Sequence, residues 1–320
     1  MDKEKIDINL IEYLRKMLNN SDIAYKAHPK RLTGGYETKT YSFQLEESPA
    51  NLSKPLVVRI FPGRGSEHPK RREGTVMKYI SEIGFPAPNV YFDCFDPSIL
   101  GGNFIIMDFV PGITLFEYNR DVPKIMAETH LHLHRLDSRP LRKRLISNGF
   151  EESTLSGLNW REPYIHDNDL NWLKPALKWI KDNKPESKPA ICHGDFHPLN
   201  ILINEGKVSG VLDWSFNRLE DPCFDIATTI INMSINGPIL LPKYGEAFKE
   251  TSYKYLDIYQ ERSLIDLSKL EYYQAFKCLM MMVEYDVSVN VWHTPGILEA
   301  IIEHFKNITG VEPIPNLKKS

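Results

Sequence analysis

The spacing of apolar positions changes along this chain, and the change divides it in two. Residues 7–19 carry Leu10, Ile11, Leu14 and Leu18 at helical spacing, which predicts a short amphipathic helix. Short β-prone runs follow. Residues 31–43 read as strand, glycine turn, strand; Leu56 to Phe61 reads as a strand; Val90 to Phe95 and Phe104 to Phe109 read as two more. The turn residues Asp96-Pro97 and Gly101-Gly102-Asn103 separate that last pair. One helix interrupts the strands, from Glu73 to Ile83, with Val76, Met77 and Ile80 on its apolar face. Val110-Pro111-Gly112 marks a strand end and a chain crossing. From Val122 onward the period is mainly helical, except for residues 147–169, whose Gly, Asn, Trp and Pro predict an irregular insertion. The expected organisation is therefore a β-rich part, residues 1–110, and a mainly helical part, residues 111–320.

A polar exception sits inside the helical part. Ile191-Cys-His-Gly-Asp-Phe-His-Pro-Leu-Asn-Ile-Leu-Ile203 places Asp195 five residues before Asn200, and Gly210-Val-Leu-Asp213-Trp214 ends an apolar run on a second carboxylate. Residues 201–203 and 208–212 are β-prone, and Asn204-Glu-Gly-Lys207 between them predicts a hairpin turn. Such a hairpin would fold Asn200 and Asp213 toward each other. Phosphoryl transfer from a nucleotide needs this combination: one carboxylate to orient a hydroxyl and take its proton, and an amide and a second carboxylate to hold a cation against the phosphates. Mg²⁺ suits these oxygen ligands. Two other readings stand beside this one. His193, Asp195 and His197 form an H-x-D-x-H pattern that could bind zinc, though no other histidine offers a matching ligand. An ordinary polar turn before a hairpin leaves the coincidence of Asp195, Asn200 and Asp213 unexplained.

Arg59 lies in the apolar run Leu56 to Phe61, and a cation there requires an anionic partner. Glu73, fourteen residues on, opens the predicted helix and could pair with it; a surface Arg and a solvated Glu is the bland alternative. The Gly34-Gly35 turn could lay backbone N–H groups over phosphates or be a plain hairpin turn. Met107 to Val110, Met107 and Phe109 included, is the candidate edge for a nucleotide base, since a chain crossing offers backbone donors and acceptors. The basic stretch Pro62 to Arg72 reads as a loop. His130 and His134, four apart on one helix, read better as packed histidines than as a metal pair. Asp225 reads as a helix cap or a brace for the catalytic loop.

Composition sets outer bounds. The chain has 320 residues, with 42% hydrophobic and 25% charged positions, as expected of a folded globular protein with a sizeable core. A net charge of −3 gives no electrostatic case for a nucleic-acid partner. The four cysteines are scattered without metal-type spacing, as expected of reduced thiols in a cytoplasmic protein. The first residues lack the apolar region of a signal peptide, and the most apolar late stretch, 278–283, is too short to span a membrane.

His193-Gly194-Asp195-x-His197-x-x-Asn200 with Leu212-Asp213-Trp214, preceded by Gly34-Gly35 and by Phe104 to Gly112, resembles the aminoglycoside phosphotransferase and choline kinase-like family. The resemblance covers about residues 30–290 and implies an α+β, protein-kinase-like two-lobe fold: a small β-rich N-lobe and a larger, mainly helical C-lobe. It implies transfer of the γ-phosphate of ATP or GTP to a hydroxyl of a small polar molecule such as an aminoglycoside, choline or a sugar. By position, Asp195 would be the catalytic base, Asn200 and Asp213 the Mg²⁺ ligands, and Gly34, Gly35, Arg59, Glu73, Met107 and Phe109 would serve the nucleotide. Arg59 departs from the usual Lys, and a guanidinium is larger, planar and bidentate. That departure is what supports the rival reading, a nucleotide-binding pseudokinase with weak turnover. Acids such as Glu220, Asp221, Glu284 and Asp286, with C-lobe aromatics, are candidates for a cationic acceptor's pocket.

Overall fold

The computed structural model describes residues 3–32, 38–62, 67–151, 158, 161–287 and 291–314. The chain forms two compact units: Met1–Ile113 with Leu202–Ser215, and Thr114–Ile201 with Phe216–Ser320.

The first unit is built on an antiparallel sheet. Its elements are α1 (Lys3–Leu18), β1 (Ala24–Arg31), β2 (Lys39–Glu46), β3 (Leu56–Pro62), α2 (Glu67–Glu82), β4 (Val90–Cys94), α3 (Pro97–Leu100) and β5 (Gly102–Asp108). The strands lie in the order β1-β2-β3-β5-β4. Ile6, Leu10 and Leu14 recur every four residues along α1 and are buried with Phe43, Leu56, Val58 and Phe104 of the sheet. Fully burying one such side chain contributes about 1.5–3 kcal/mol. β3 is central in the strand order and buried at almost every position, so both of its faces are covered and its sequence is an almost continuous apolar run.

Two local predictions change here. The Asp96-Pro97 turn is a capped single turn of helix: the Asp96 carboxylate accepts from the Ser98 N–H, and Gly101 closes it in the left-handed region at φ 75°. α2 starts at Glu67, six residues before its expected start at Glu73, and takes in Lys70-Arg71-Arg72, which read as a loop. Glu, Lys and Arg are good helix formers, and Pro69 falls in the first turn, where its missing N–H costs nothing. Gly34 and Gly35, read as a phosphate-loop candidate, lie outside the described residues.

The second unit is mainly helical. After β6 (Ile113–Thr114) come α4 (Leu115–Tyr118), α5 (Val122–Arg135), α6 (Ser138–Ser147), α7 (Arg161–Asp167), α8 (Lys174–Asp182) and β7 (Ala190–Cys192). In chain order β8 (Ile201–Asn204) and β9 (Lys207–Val211) come next, a hairpin that from Leu202 belongs to the first unit; the second unit resumes with β10 (Arg218–Glu220), α9 (Pro222–Ile231), α10 (Gly237–Leu240), α11 (Gly245–Arg262), α12 (Leu270–Val287) and α13 (Ile297–Thr309). α8, α9, α12 and α13 share one core that buries Ile180, Phe224, Phe276, Leu279 and Phe305. The expected irregular insertion is helical over Arg161–Asp167, because Ile165 is buried in that core and Arg161 pairs with Glu284. The apolar run 278–283 is likewise core. Among the described residues no helix is long and apolar enough to cross a membrane. All four cysteines are buried and free.

The β8–β9 hairpin forms as the turn residues demand. Glu205 and Gly206 both have positive φ, 51° and 76°, the type I′ geometry that matches strand twist. The sequence places this hairpin in the second part; instead residues 202–215 cluster with the first unit. Three contacts bind them there: Val211 N–H donates to Pro86 O at 2.7 Å, Ser209 Oγ donates to Pro111 O at 2.7 Å, and Gly112 passes close over Ile203. A Cβ on Gly112 would stand 2.6 Å from the Ile203 carbonyl oxygen, so this crossing requires glycine.

Candidate active site

In the second unit, the segment 193–196 is held from one helix face. Asp225, Thr229 and Asn232 follow one another at i, i+4 and i+7, so they share a face of α9 and its continuation. Asp225 accepts from the His193 N–H at 2.6 Å and the Gly194 N–H at 2.7 Å. Thr229 Oγ1 donates to the Phe196 carbonyl at 2.8 Å. Asn232 Nδ2 donates to Asp195 Oδ1 at 2.8 Å. The loop can run this close because residue 194 is glycine: φ is 83°, and a Cβ there would lie 2.1 Å from the Phe216 carbonyl oxygen.

Asp225 is fully buried and must be ionised to hold two N–H groups. Burial acts against the charge, but His130 and His134 hold its carboxyl well below the usual carboxylate range. Their Nε2 atoms lie 2.9 and 3.3 Å from Asp225 Oδ2, and their Nδ1 atoms lie 2.7 Å from the hydroxyls of Tyr255 and Tyr259. Burial pushes His130 down to about 4, with His134 adding to the fall, so His130 is neutral near pH 7. The neutral ring then donates from Nε2 to Asp225 and accepts at Nδ1 from Tyr255. His130, His134 and Asp225 are the one group of three potential metal ligands that converge among the described residues. Each ring already has both nitrogens hydrogen-bonded, Nε2 to Asp225 and Nδ1 to a tyrosine hydroxyl, which satisfies the buried group without a metal. The packed-histidine reading therefore fits. Asp225 serves as the loop's anchor, while the cap of α9 is Asp221, which accepts from the Cys223 N–H. The zinc pattern His193-x-Asp195-x-His197 does not converge: His193 is buried, and its Nδ1 accepts from the Asp195 N–H at 3.2 Å.

Asp195 keeps its second oxygen near His197 Nε2 and Asn200 Nδ2, each at 3.4 Å. Burial would raise its pKa, but His197, then His193 and Lys277, hold it down to about 2. It is a carboxylate at any working pH. Asn200 also gives Nδ2 to the Asp195 carbonyl at 2.9 Å, a bond that engages the amide nitrogen and not the amide oxygen. Asn200 directly precedes β8.

The first unit supplies the other polar cluster. Arg59 on β3 donates from Nη1 to Glu73 Oε1 at 2.7 Å, the strand–helix ion pair that the sequence suggests. The guanidinium does more than expected: Nη2 reaches Asp213 Oδ1 at 2.9 Å and Ser215 Oγ at 3.1 Å. Nε also donates to Thr38 Oγ1 at 3.3 Å, so the planar fork serves four side chains, more than the three donors of a lysine ammonium. Asp213 holds φ 60°, a conformation Asp tolerates better than most residues, and Ser215 Oγ donates to its Oδ1 at 2.6 Å. Glu73 is only 2% exposed. Burial pushes its carboxyl up to about 7, against the pull of Arg59 and with added repulsion from Asp213.

At the candidate base edge, the N–H groups of Asp108 and Phe109 are already committed, to Asn89 O at 3.0 Å and Pro55 O at 3.1 Å. Met107 is buried within the strand ladder between Val57 and Val90. The Phe109 ring is exposed and can stack, but its amide cannot donate to a base without losing its bond to Pro55.

The acids suggested for a cationic acceptor are engaged elsewhere. Glu284 pairs with Arg161, Asp286 accepts from Tyr164 at 3.2 Å, Glu220 is buried beside Tyr273, and Asp221 caps α9 and pairs with Lys269. Two residues that sequence reading passed over matter more: Asn232 and Asn236, which line a cavity beside Asp195. Their trace in the sequence is two amides four apart in an apolar helix, beginning seven residues after Asp225.

A small antiparallel-sheet unit and a larger helical unit define a protein of the kinase fold class. The profile of the phosphotransferase enzyme family matches residues 28–259, and the chain belongs to that family. It resembles APH(4)-Ia, an aminoglycoside phosphotransferase, with a TM-score of 0.63 at 15% identity over 95% of this chain and 98% of that one. The ethanolamine kinase of Plasmodium vivax gives a TM-score of 0.59 at 13% identity, over 92% of this chain and 85% of that one. In sequence, the chain is 28% identical over 174 residues to acyl-CoA dehydrogenase family member 11 of Gallus gallus, half of this chain and 22% of that protein. It is 26% identical over 206 residues to an aminoglycoside 3'-phosphotransferase of Enterococcus faecalis, 58% of this chain and 72% of that protein. The chain spans about a fifth of the length of the acyl-CoA dehydrogenase-named relative.

Proposed function

We propose that this chain is a small-molecule kinase that moves the γ-phosphate of ATP or GTP to the hydroxyl of an alcohol. The observation that carries the reading is Asp195: an ionised carboxylate on a loop clamped by Asp225, with Asn232 fixing one oxygen and a cavity beside it. The relatives named as phosphotransferases and as an ethanolamine kinase support the same class of reaction.

Asp195 orients the acceptor hydroxyl and takes its proton as the oxygen bonds to the γ-phosphorus. With a pKa near 2 it is a weak base, so the proton moves late, when the oxygen has lost most of its basicity to the new bond. Arg59, tied to Glu73 and Asp213, would hold nucleotide phosphates. Asn200 and Asp213 would each offer an oxygen donor of the kind Mg²⁺ takes, and the ion would neutralise phosphate charge.

The test is Mg²⁺-dependent release of ADP or GDP with an acceptor panel, in wild type and Asp195→Asn. The kinase reading requires acceptor-dependent release that falls at least ~10³-fold in the variant, because the general base and its orienting bond are both lost. A pseudokinase is the second reading, favoured by one observation, the Arg59 contact with Asp213 Oδ1. Nucleotide binding by thermal shift, with equal and negligible release in both proteins, would establish it.

A further inference from the structure

The cavity beside Asp195 is lined, among the described residues, by the second unit alone and is small, about 160 Å³. Its walls are Leu199, Met233, Leu240, Leu241, Phe248 and Trp292, with the amides of Asn232 and Asn236 near the base. Among the described residues that line it, Asp195 is the one carboxylate and none is Lys or Arg. The Asp195 carboxylate already accepts from Asn232 and lies against His197 and Asn200. A polycationic acceptor would have to shed water from several ammonium groups here with no acid left to receive them, and a buried charge without a partner is strongly disfavoured. An apolar body faces the opposite balance. Leu199, Leu240 and Leu241 remain 40%, 36% and 38% exposed, so a ligand that covers them removes apolar surface from water. The wall is also shaped for this. α9 continues as a π-helical turn, Asn232–Asn236, a widened form common at functional sites, which sets Asn232 toward the base and Met233 into the wall.

We infer that the acceptor is an uncharged alcohol with an apolar body, an alkyl or aryl-alkyl chain, whose hydroxyl reaches Asp195 while the chain lies against Leu240, Leu241, Phe248 and Trp292. This rests on the phosphotransfer reading above. In the reaction the alcohol oxygen bonds to the γ-phosphorus, and the bond from that phosphorus to the β,γ-bridging oxygen breaks. Its electron pair leaves with the nucleoside diphosphate, the hydroxyl proton goes to Asp195, and the product is an alkyl phosphate monoester.

The experiment measures Mg²⁺-dependent nucleoside diphosphate release from ATP and GTP with straight-chain primary alcohols from butanol to nonanol, beside kanamycin, choline and glucose. The expected result is a kcat/KM that rises about fourfold per methylene until the cavity is filled. Leu240→Asp should flatten that series and lower kcat/KM for the longest alcohol at least ~10-fold, since it places a charge where the chain lies. A higher kcat/KM for kanamycin, choline or glucose than for every apolar alcohol would overturn the inference and leave the kinase reading standing. So would slow release to water that Asp195→Asn abolishes and no apolar alcohol accelerates. If neither nucleotide is turned over at all, the kinase reading falls, and saturation-transfer NMR with nonanol decides the cavity. Binding weakened by Leu240→Asp would keep an apolar ligand there, and absence of binding would remove it.

Discussion

Asn232→Ala tests whether the loop's geometry, beyond its carboxylate, supplies rate. The change deletes the 2.8 Å hydrogen bond to Asp195 Oδ1 and nothing else that touches the loop. A hydrogen bond to a charged group contributes about 1.5–3 kcal/mol. The Asp195 side chain keeps 24% of its exposure, so water replaces part of the loss and the lower end applies, about 1.5–2 kcal/mol. If that energy serves orientation in the transition state, kcat falls roughly 10- to 30-fold. The KM for nucleotide should stay within about twofold, because Asn232 is on the acceptor side. Asn232→Asp adds a second signature. It sets a like charge beside Asp195 and so raises a pKa that now lies near 2, bringing an acid limb into the measurable pH–rate profile. The assay is steady-state diphosphate release from pH 5 to 9, with thermal melting as the control for folding. An alanine variant with kcat within twofold of wild type, beside an inactive Asp195→Asn, would refute the positioning role. An unchanged profile in Asn232→Asp would refute it equally.

Two further outcomes follow from groups the structure strains or buries. Glu73 has its carboxyl raised from 4.5 to about 7, so the folded state prefers it neutral. That stability is fully present below about pH 4.5 and is lost as pH rises through 7, a span on the order of 3 kcal/mol. Urea denaturation across that range should show wild-type stability declining relative to Glu73→Gln; parallel curves would show that Arg59 keeps Glu73 ionised throughout. Gly194→Ala should destabilise the protein by about 2–5 kcal/mol, adding the cost of a left-handed alanine to overlap with the Phe216 carbonyl. An unchanged urea midpoint would mean that the 193–196 loop shifts freely, against its anchoring by Asp225.

Much of this molecule could be read from its residues because the signals are local. The apolar run of β3, the helical period of α1 and the Asn204 to Lys207 turn each depend on neighbours a few positions away, and all three appear where expected. The Arg59–Glu73 pair was legible for a related reason: a cation inside an apolar run has few ways to be satisfied. Asp195, Asn200 and Asp213 stood out by spacing alone.

The tertiary structure decided what depended on distant chain. That residues 161–167 are helical followed from packing that composition does not carry: Ile165 is buried in the shared core and Arg161 pairs with Glu284. The hairpin joined the first unit because Pro86, Pro111 and Gly112 receive it, residues some hundred positions earlier. The Arg59 bond to Asp213 spans 154 positions. Asn232 and Asn236 looked like minor polar breaks in an apolar helix; they became part of the site only when α9 laid Asp225, Thr229 and Asn232 along the loop. Periodicity reports which face of an element is buried, whereas the partner of that face, and therefore the character of the acceptor cavity, is set by chain brought together from far away in sequence.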